Sequence, residues 1–238
     1  MNAADLYNEI TVFCRSNSDD AIIRKYSRYF KNGQYDAYGL PLDIINGKVK
    51  EITDRPGTDY NLLREVSLIL AGGKKFEEVT FAFLFYKTFI KKADRRVFDD
   101  ITLWYERGIG NWAHSDSICG ELLFPLLKKN IIIYKDFEPW LTGRNKFQRR
   151  SVPVALIKQV KLKKVVQPYL DFVEPLMKDS EREVHQGIGW FLREAWRIDN
   201  EEVEKLLLRW KESAARLIYQ YACEKMSSEA KTKFRRTK

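Results

Sequence analysis

Four positions combine residue types that could carry one reaction. Trp112 and Asp116 stand four apart in NWAHSD, a spacing that puts both on one face of a helix. Arg149-Arg150 follows in NKFQRR, and Trp190 in GIGWFLREAWRID. Trp112, Arg150 and Trp190 are separated by 38 and 40 residues, close to the ~40-residue period of HEAT-type helical repeats. The face of a tryptophan attracts a cation. A carboxylate stabilises the positive charge that grows on a sugar as its glycosidic bond breaks, and it can position water. An arginine can hold the neighbouring phosphate. A purine alkylated at N3 or N7 suits such a set, because its positive charge weakens the bond to the sugar. On residue types alone, packing is the simpler account of the rings. Six tryptophans are scattered through the chain, and Trp104, Trp140, Trp196 and Trp210 read as packing residues.

Other chemistries find no basis. GxxxxGK[ST], GxGxxG, HExxH and zinc-type Cys/His spacings are all absent. His114 and His185 are the only histidines and read as structural or solvent-facing. Cys14, Cys119 and Cys223 are an odd set without CxxC, each in an apolar helical stretch. They read as reduced thiols filling a core. No metal or other cofactor is expected. The N-terminus lacks a basic region followed by an apolar one. No apolar run approaches the roughly 18 residues of a membrane span. A cytoplasmic, nucleoid-associated protein without a membrane partner is the expectation.

The elements that must position these residues are helices. The chain has 238 residues, 45% hydrophobic and 32% charged, enough for a core and too apolar for disorder. Strand-like alternation is nearly absent, although Asn130 to Tyr134 is ambiguous. Asp5 to Arg15 and Asp19 to Tyr29 form a first helix pair, and an aromatic loop, Phe30 to Leu40, follows. Pro41 suits the first turn of a short helix. Thr58 or Asp59 caps a helix to about Leu70, which Gly72-Gly73 ends. Helices then follow over Phe76 to Lys91, Arg95 to Glu106, Asn111 to Lys129, Asp136 to Leu141, Arg144 to Val160, Lys164 to Met177 and Ser180 to Ile198. Glu201 to Lys225 reads as one long, charged closing helix. Helix pairs with tight turns predict an all-α fold: a HEAT-like repeat α-solenoid of stacked antiparallel helix pairs with a basic concave groove. Residues 1–230 are expected as one domain and 231–238 as a basic C-terminal tail, a frayed terminus in preference to a source of extra phosphate contacts.

Charge points to the partner. Lys and Arg total 42 against 33 Asp and Glu, a net +9 that favours a polyanion. No acidic residue occurs between Glu138 and Asp171, a window holding Arg144, Lys146, Arg149, Arg150, Lys158, Lys161, Lys163 and Lys164. Ordinary solvated faces mix signs, so backbone phosphates are the expected counter-charges. Arg193 in GWFLREA is a further candidate contact.

The order W-x-x-x-D, an R-R-led helix and G-W-x-L-R-E resembles the AlkD-like DNA alkylation repair family, the HEAT-like repeat DNA glycosylases. KYSRYFKN is similar to that family's opening Y-[MF]-K-N segment, and the resemblance spans about residues 20–200. It implies an all-α solenoid on double-stranded DNA, working as a monomer without a metal, that excises cationic N3- and N7-alkylpurines such as 3-methyladenine and 7-methylguanine in base excision repair. It assigns the reaction to Trp112, Asp116 and Trp190 with an assisting arginine, Arg150 or Arg149, and makes Tyr29 a groove contact. The sequence also departs from the family. WAHSD lacks the accessory acid of the family's W-D-x-V-D, Pro153 should kink or break the arginine-bearing helix, and the loop over Gly33–Gly39 has a different texture. Family branches without glycosylase activity bind branched DNA, so a non-catalytic binder of branched or distorted DNA is the alternative, and a helical scaffold for an acidic protein a second one.

Overall fold

The computed structural model describes residues 1–30 and 35–237. Lys31 and Asn32 of KYSRYFKN, Gly33 and Gln34 of the aromatic loop, and Lys238 lie outside the described residues. Among the described residues there are fourteen α-helices and no strand. The ambiguous run at Asn130 is a turn, with Asn130 at φ 55°. No helix among them is long and apolar enough to cross a membrane. The chain divides into two compact units, Met1–His114 and Ser115–Lys238.

The first unit holds α1 (Ala3–Ser16), α2 (Asp20–Ser27), α3 (Leu42–Asp54), α4 (Tyr60–Leu70), α5 (Phe76–Phe89) and α6 (Arg96–Arg107), and it ends inside α7 (Trp112–Ile118). Asp59, one of the two expected caps, accepts from the Leu62 amide at 2.8 Å and starts α4. The centre is α5, buried on every side from Glu77 to Tyr86 and packed against α1, α3 and α4. Two acids in it are satisfied locally. Glu77, 1% exposed, accepts the amides of Tyr38, Gly39 and Leu40, and Glu78 accepts the Tyr38 hydroxyl. They fix the loop that precedes α3. Gly39 is required there: its φ is +86°, and a Cβ would lie 2.2 Å from the Asp19 carbonyl oxygen. Arg64 of α4 forks onto Asp100 of α6 with two bonds of 2.7 Å, and the Tyr86 hydroxyl completes that carboxylate at 2.7 Å.

His114 is a structural histidine. Its Nδ1 accepts from the Asn111 amide at 2.7 Å, which leaves the proton on Nε2, directed at the Thr80 hydroxyl 3.1 Å away. The ring stacks on Phe76. Burial lowers its pKa to about 3. As pH falls through 6.5, the unfolded chain takes up a proton that the folded unit refuses until about pH 3. Stability is therefore lost across that window, by about 3 kcal/mol at pH 4.5 relative to pH 7 from this group. Urea midpoints at the two pH values should separate more in wild type than in His114→Gln; equal separations would refute the assignment.

The second unit continues α7 into a π-helical segment, Cys119–Leu123, and α8 (Phe124–Lys128). It then carries α9 (Lys146–Lys163), α10 (Gln167–Val173), α11 (Arg182–Trp196), α12 (Asn200–Arg209), α13 (Arg216–Ala222) and α14 (Ser228–Thr232). The expected break at Pro153 does not occur: α9 runs unbroken through it. Proline removes one ladder bond, and burial of twelve residues of α9 holds the helix despite that loss. The single closing helix from Glu201 to Lys225 is corrected to α12 and α13, with the chain turning between them. The expected frayed terminus is also corrected. Phe234 is 1% exposed, and Arg236 donates to the Ala214 carbonyl.

α11 is the axis of this unit, packed against α9 and α13. Two glycines two positions apart point to opposite helix faces and allow both approaches. A Cβ on Gly187 would lie 3.0 Å from Arg150 Cγ, and one on Gly189 would lie 2.6 Å from Tyr221 Cβ and 2.8 Å from the Ile218 carbonyl oxygen. Gly189→Ala should therefore destabilise by about 1–3 kcal/mol through overpacking, although alanine gains about 1 kcal/mol in helix propensity. A urea melt reads the sign; a stabilised variant would show that the α11–α13 contact yields easily.

Candidate active site

The site begins with small side chains. Ser115 and Cys119, one turn apart, face Phe147 and Ser151 of α9. The Ser115 hydroxyl lies 2.8 Å from that of Ser151 and 3.2 Å from the Phe147 carbonyl oxygen, and the Cys119 thiol points at the Ser151 carbonyl at 3.5 Å. All three small residues are buried. The two serines each have a charged neighbour in sequence: Asp116 follows Ser115, and Arg150 precedes Ser151. Close approach of the two backbones therefore sets Asp116 beside Arg150. The guanidinium Nε and Nη2 each donate to a different Asp116 oxygen at 2.9 Å, and Nη1 donates to the Glu183 carbonyl at 2.8 Å.

Arg150 is 6% exposed. Burial works against its charge, but the bonds and proximity of Asp116 outweigh this, and its pKa is raised. The Asp116 side chain keeps 18% of its surface exposed. In the first unit, by contrast, the Asp100 side chain is 1% exposed. A guanidinium meeting a carboxylate side-on leaves each oxygen a second lone pair, and only at Asp116 does solvent reach that carboxylate.

The arginine that meets Asp116 is Arg150. Arg149 points elsewhere, as adjacent helix positions must: its Nε and Nη2 donate to Asp179 at 2.6 and 3.2 Å, and Nη1 donates to the Gly143 carbonyl at 2.7 Å. Trp190 lies on α11, half-buried. Trp112 is 38% exposed in the first unit, with one face stacked on Phe30 at 5.5 Å and its indole N–H directed at the Tyr29 carbonyl. Tyr29 itself is 57% exposed.

The family model for DNA alkylation repair enzymes matches residues 14–226. The chain belongs to that family. DNA is accordingly the substrate class of this DNA alkylation repair family member. Its fold is shared with a solved structure described as a predicted DNA alkylation repair enzyme from Enterococcus faecalis, at TM-score 0.73 and 16% identity, covering 89% of this chain and 98% of that one. It is similar also to smu.31 from Streptococcus mutans UA159, at TM-score 0.59 and 16% identity, covering 78% and 93%. None of the curated proteins compared matches the sequence.

The basic window of this family member is not left to phosphates alone, contrary to the expectation from its one-sided charge. Its counter-charges come from other elements. Lys146 bridges Glu181 and Glu183, Arg149 meets Asp179, Arg150 meets Asp116, and Lys161 meets Glu194. Arg193 pairs with Glu194 and Glu224. Lys158 has a structural task. The Phe124 amide bonds back to the Cys119 carbonyl, five residues away, and Pro125 has no N–H to offer the next carbonyl, that of Gly120. The Lys158 ammonium fills that vacancy at 3.0 Å while lying over the Phe124 ring. Arg144, Lys163 and Lys164 are exposed and have no carboxylate partner among the described residues.

Sequence reasoning missed Ser115, Ser151, Glu183 and Gly187. The only local signal was a G-x-G pair inside a helical stretch, where glycine marks close approach.

Proposed function

We propose that the chain is a DNA glycosylase that releases cationic N3- and N7-alkylpurines from duplex DNA. One observation carries the proposal beyond family membership: a carboxylate held by a buried arginine yet open to solvent, where the comparable Asp100 is sealed. The C1′–N9 bond breaks heterolytically. Its electron pair passes to the alkylated purine, which leaves neutral, and positive charge grows on the sugar. Asp116, fixed in orientation by Arg150, stabilises that charge and directs the water that adds at C1′; the proton lost by the water passes to solvent. Trp190 and Trp112 are assigned, as the sequence resemblance implies, to attraction of the cationic base. Tyr29, Arg144, Lys163 and Lys164 are assigned to DNA contact. The paired cations Lys146, Arg149, Lys161 and Arg193 could add to the field without being free to grip phosphate. A single chain, cytoplasmic and close to the chromosome, is proposed to suffice.

A second reading has its own observation. Both Asp116 oxygens are engaged by Arg150, so the pair could be purely architectural in a non-catalytic binder of branched DNA. The test is release of 7-methylguanine or 3-methyladenine from methylated duplex. Release by wild type and not by Asp116→Asn supports the glycosylase. No release by folded, DNA-binding wild type selects the binder.

A further inference from the structure

The basic C-terminal segment is docked, and its docking creates a cleft. α13 and the residues around Phe234 border an open cleft of about 360 Å³, with Arg216, Lys231 and Arg235 among the lining residues and no carboxylate. Phe234 and Tyr219, both buried, form the floor. The Arg216 guanidinium sits 4.5 Å over the Tyr219 ring, and its Nη1 donates to the Phe234 carbonyl at 2.9 Å. That fork is held in place with N–H groups to spare, since arginine carries five. The Arg235 side chain has no polar partner among the described residues, and the Lys231 ammonium makes one long contact, 3.4 Å, to the Glu224 carbonyl.

Three acids of this unit already have partners of their own. Glu204 is held by Lys233 and the Trp196 indole, Glu212 by the amide and hydroxyl of Thr237, and Glu224 by Arg193 and Lys225. Three cations therefore line a cleft that has no carboxylate in its lining. An anion with several acceptor oxygens satisfies that arrangement, as phosphate does for arginine forks and lysine.

We propose that this cleft binds a phosphate group, the backbone phosphodiester of DNA in a chain that works on DNA. The choice of DNA rests on the function proposed above; the choice of phosphate rests on the cleft. Lys231→Gln/Arg235→Gln leaves Phe234 and Arg216 in place. Binding of an undamaged labelled duplex, followed by fluorescence anisotropy across a salt series, should give a plot of log affinity against log salt that is shallower by about one unit or more in the variant, since each phosphate contact contributes ~0.9. Undamaged duplex makes the result independent of base release. In a second arm, thermal midpoints are read with 5′-dAMP and with inorganic phosphate. A shallower duplex slope identifies the strand as the source. A midpoint raised by 5′-dAMP or phosphate in wild type and not in the variant identifies a free phosphomonoester. Either supports the cleft as a phosphate site. Equal slopes together with equal midpoints overturn it. Should the double variant melt early, Arg235→Gln alone is read in the same way.

Discussion

Asp116→Asn is expected to cut release of 7-methylguanine from methylated duplex by about a hundredfold to a thousandfold, the usual loss when one pre-oriented electrostatic group is removed from a charge-developing reaction. The substitution keeps shape and removes charge. It also turns an amide N–H₂ toward one of the two Arg150 donors that now meet oxygen at 2.9 Å, so one of those bonds is lost. Single-turnover release separates chemistry from affinity, and duplex binding should change little, because the exposed cations Arg144, Lys163 and Lys164 are untouched. Release within a few-fold of wild type would remove Asp116 from the centre of the reaction.

The second large effect concerns stability and uses the same pair. Asp116→Leu leaves the Arg150 charge 6% exposed with only the Glu183 carbonyl as partner, and should cost about 3–5 kcal/mol. Arg150→Met should cost less, because Asp116 retains access to water. The double variant Asp116→Leu/Arg150→Met should recover most of the loss, since a buried pair replaced by apolar groups is often close to neutral. Urea titration of the four proteins closes the cycle. A double variant as unstable as the sum of the singles would mean that the two residues are energetically independent. A double variant that folds and binds duplex but releases no base would separate the pair's chemistry from its architecture.

What could be read from the sequence was what local physics decides. Helices with strong caps and clear stops, such as α4 between Asp59 and Gly72-Gly73, follow from period and punctuation. The turn between α12 and α13 did not, because residues 210–215 contain neither glycine nor proline. Its causes are distant: the Trp210 indole donates to Glu174, and the Tyr219 hydroxyl donates to the Leu207 carbonyl. The same holds for charge. The acid-free window looked uncompensated because its partners lie outside it in sequence, in Asp116, Asp179, Glu183 and Glu194. For the candidate site, residue types and spacing singled out Asp116 and an arginine pair. Choosing Arg150 over Arg149 required the packing of Ser115 against Ser151, which no period reveals.

The cysteines bear on survival in the environment this family implies. Burial pushes the thiols of Cys14 and Cys119 up to about 12 and that of Cys223 to about 11. The thiolate is the reactive nucleophile, and at neutral pH almost none of it exists at these positions. Methylating electrophiles that attack purine nitrogens would find no activated sulfur in this chain. Cys119, one turn beyond Asp116, stays an inert spacer where a more acidic thiol would be consumed by the agents whose damage is being repaired.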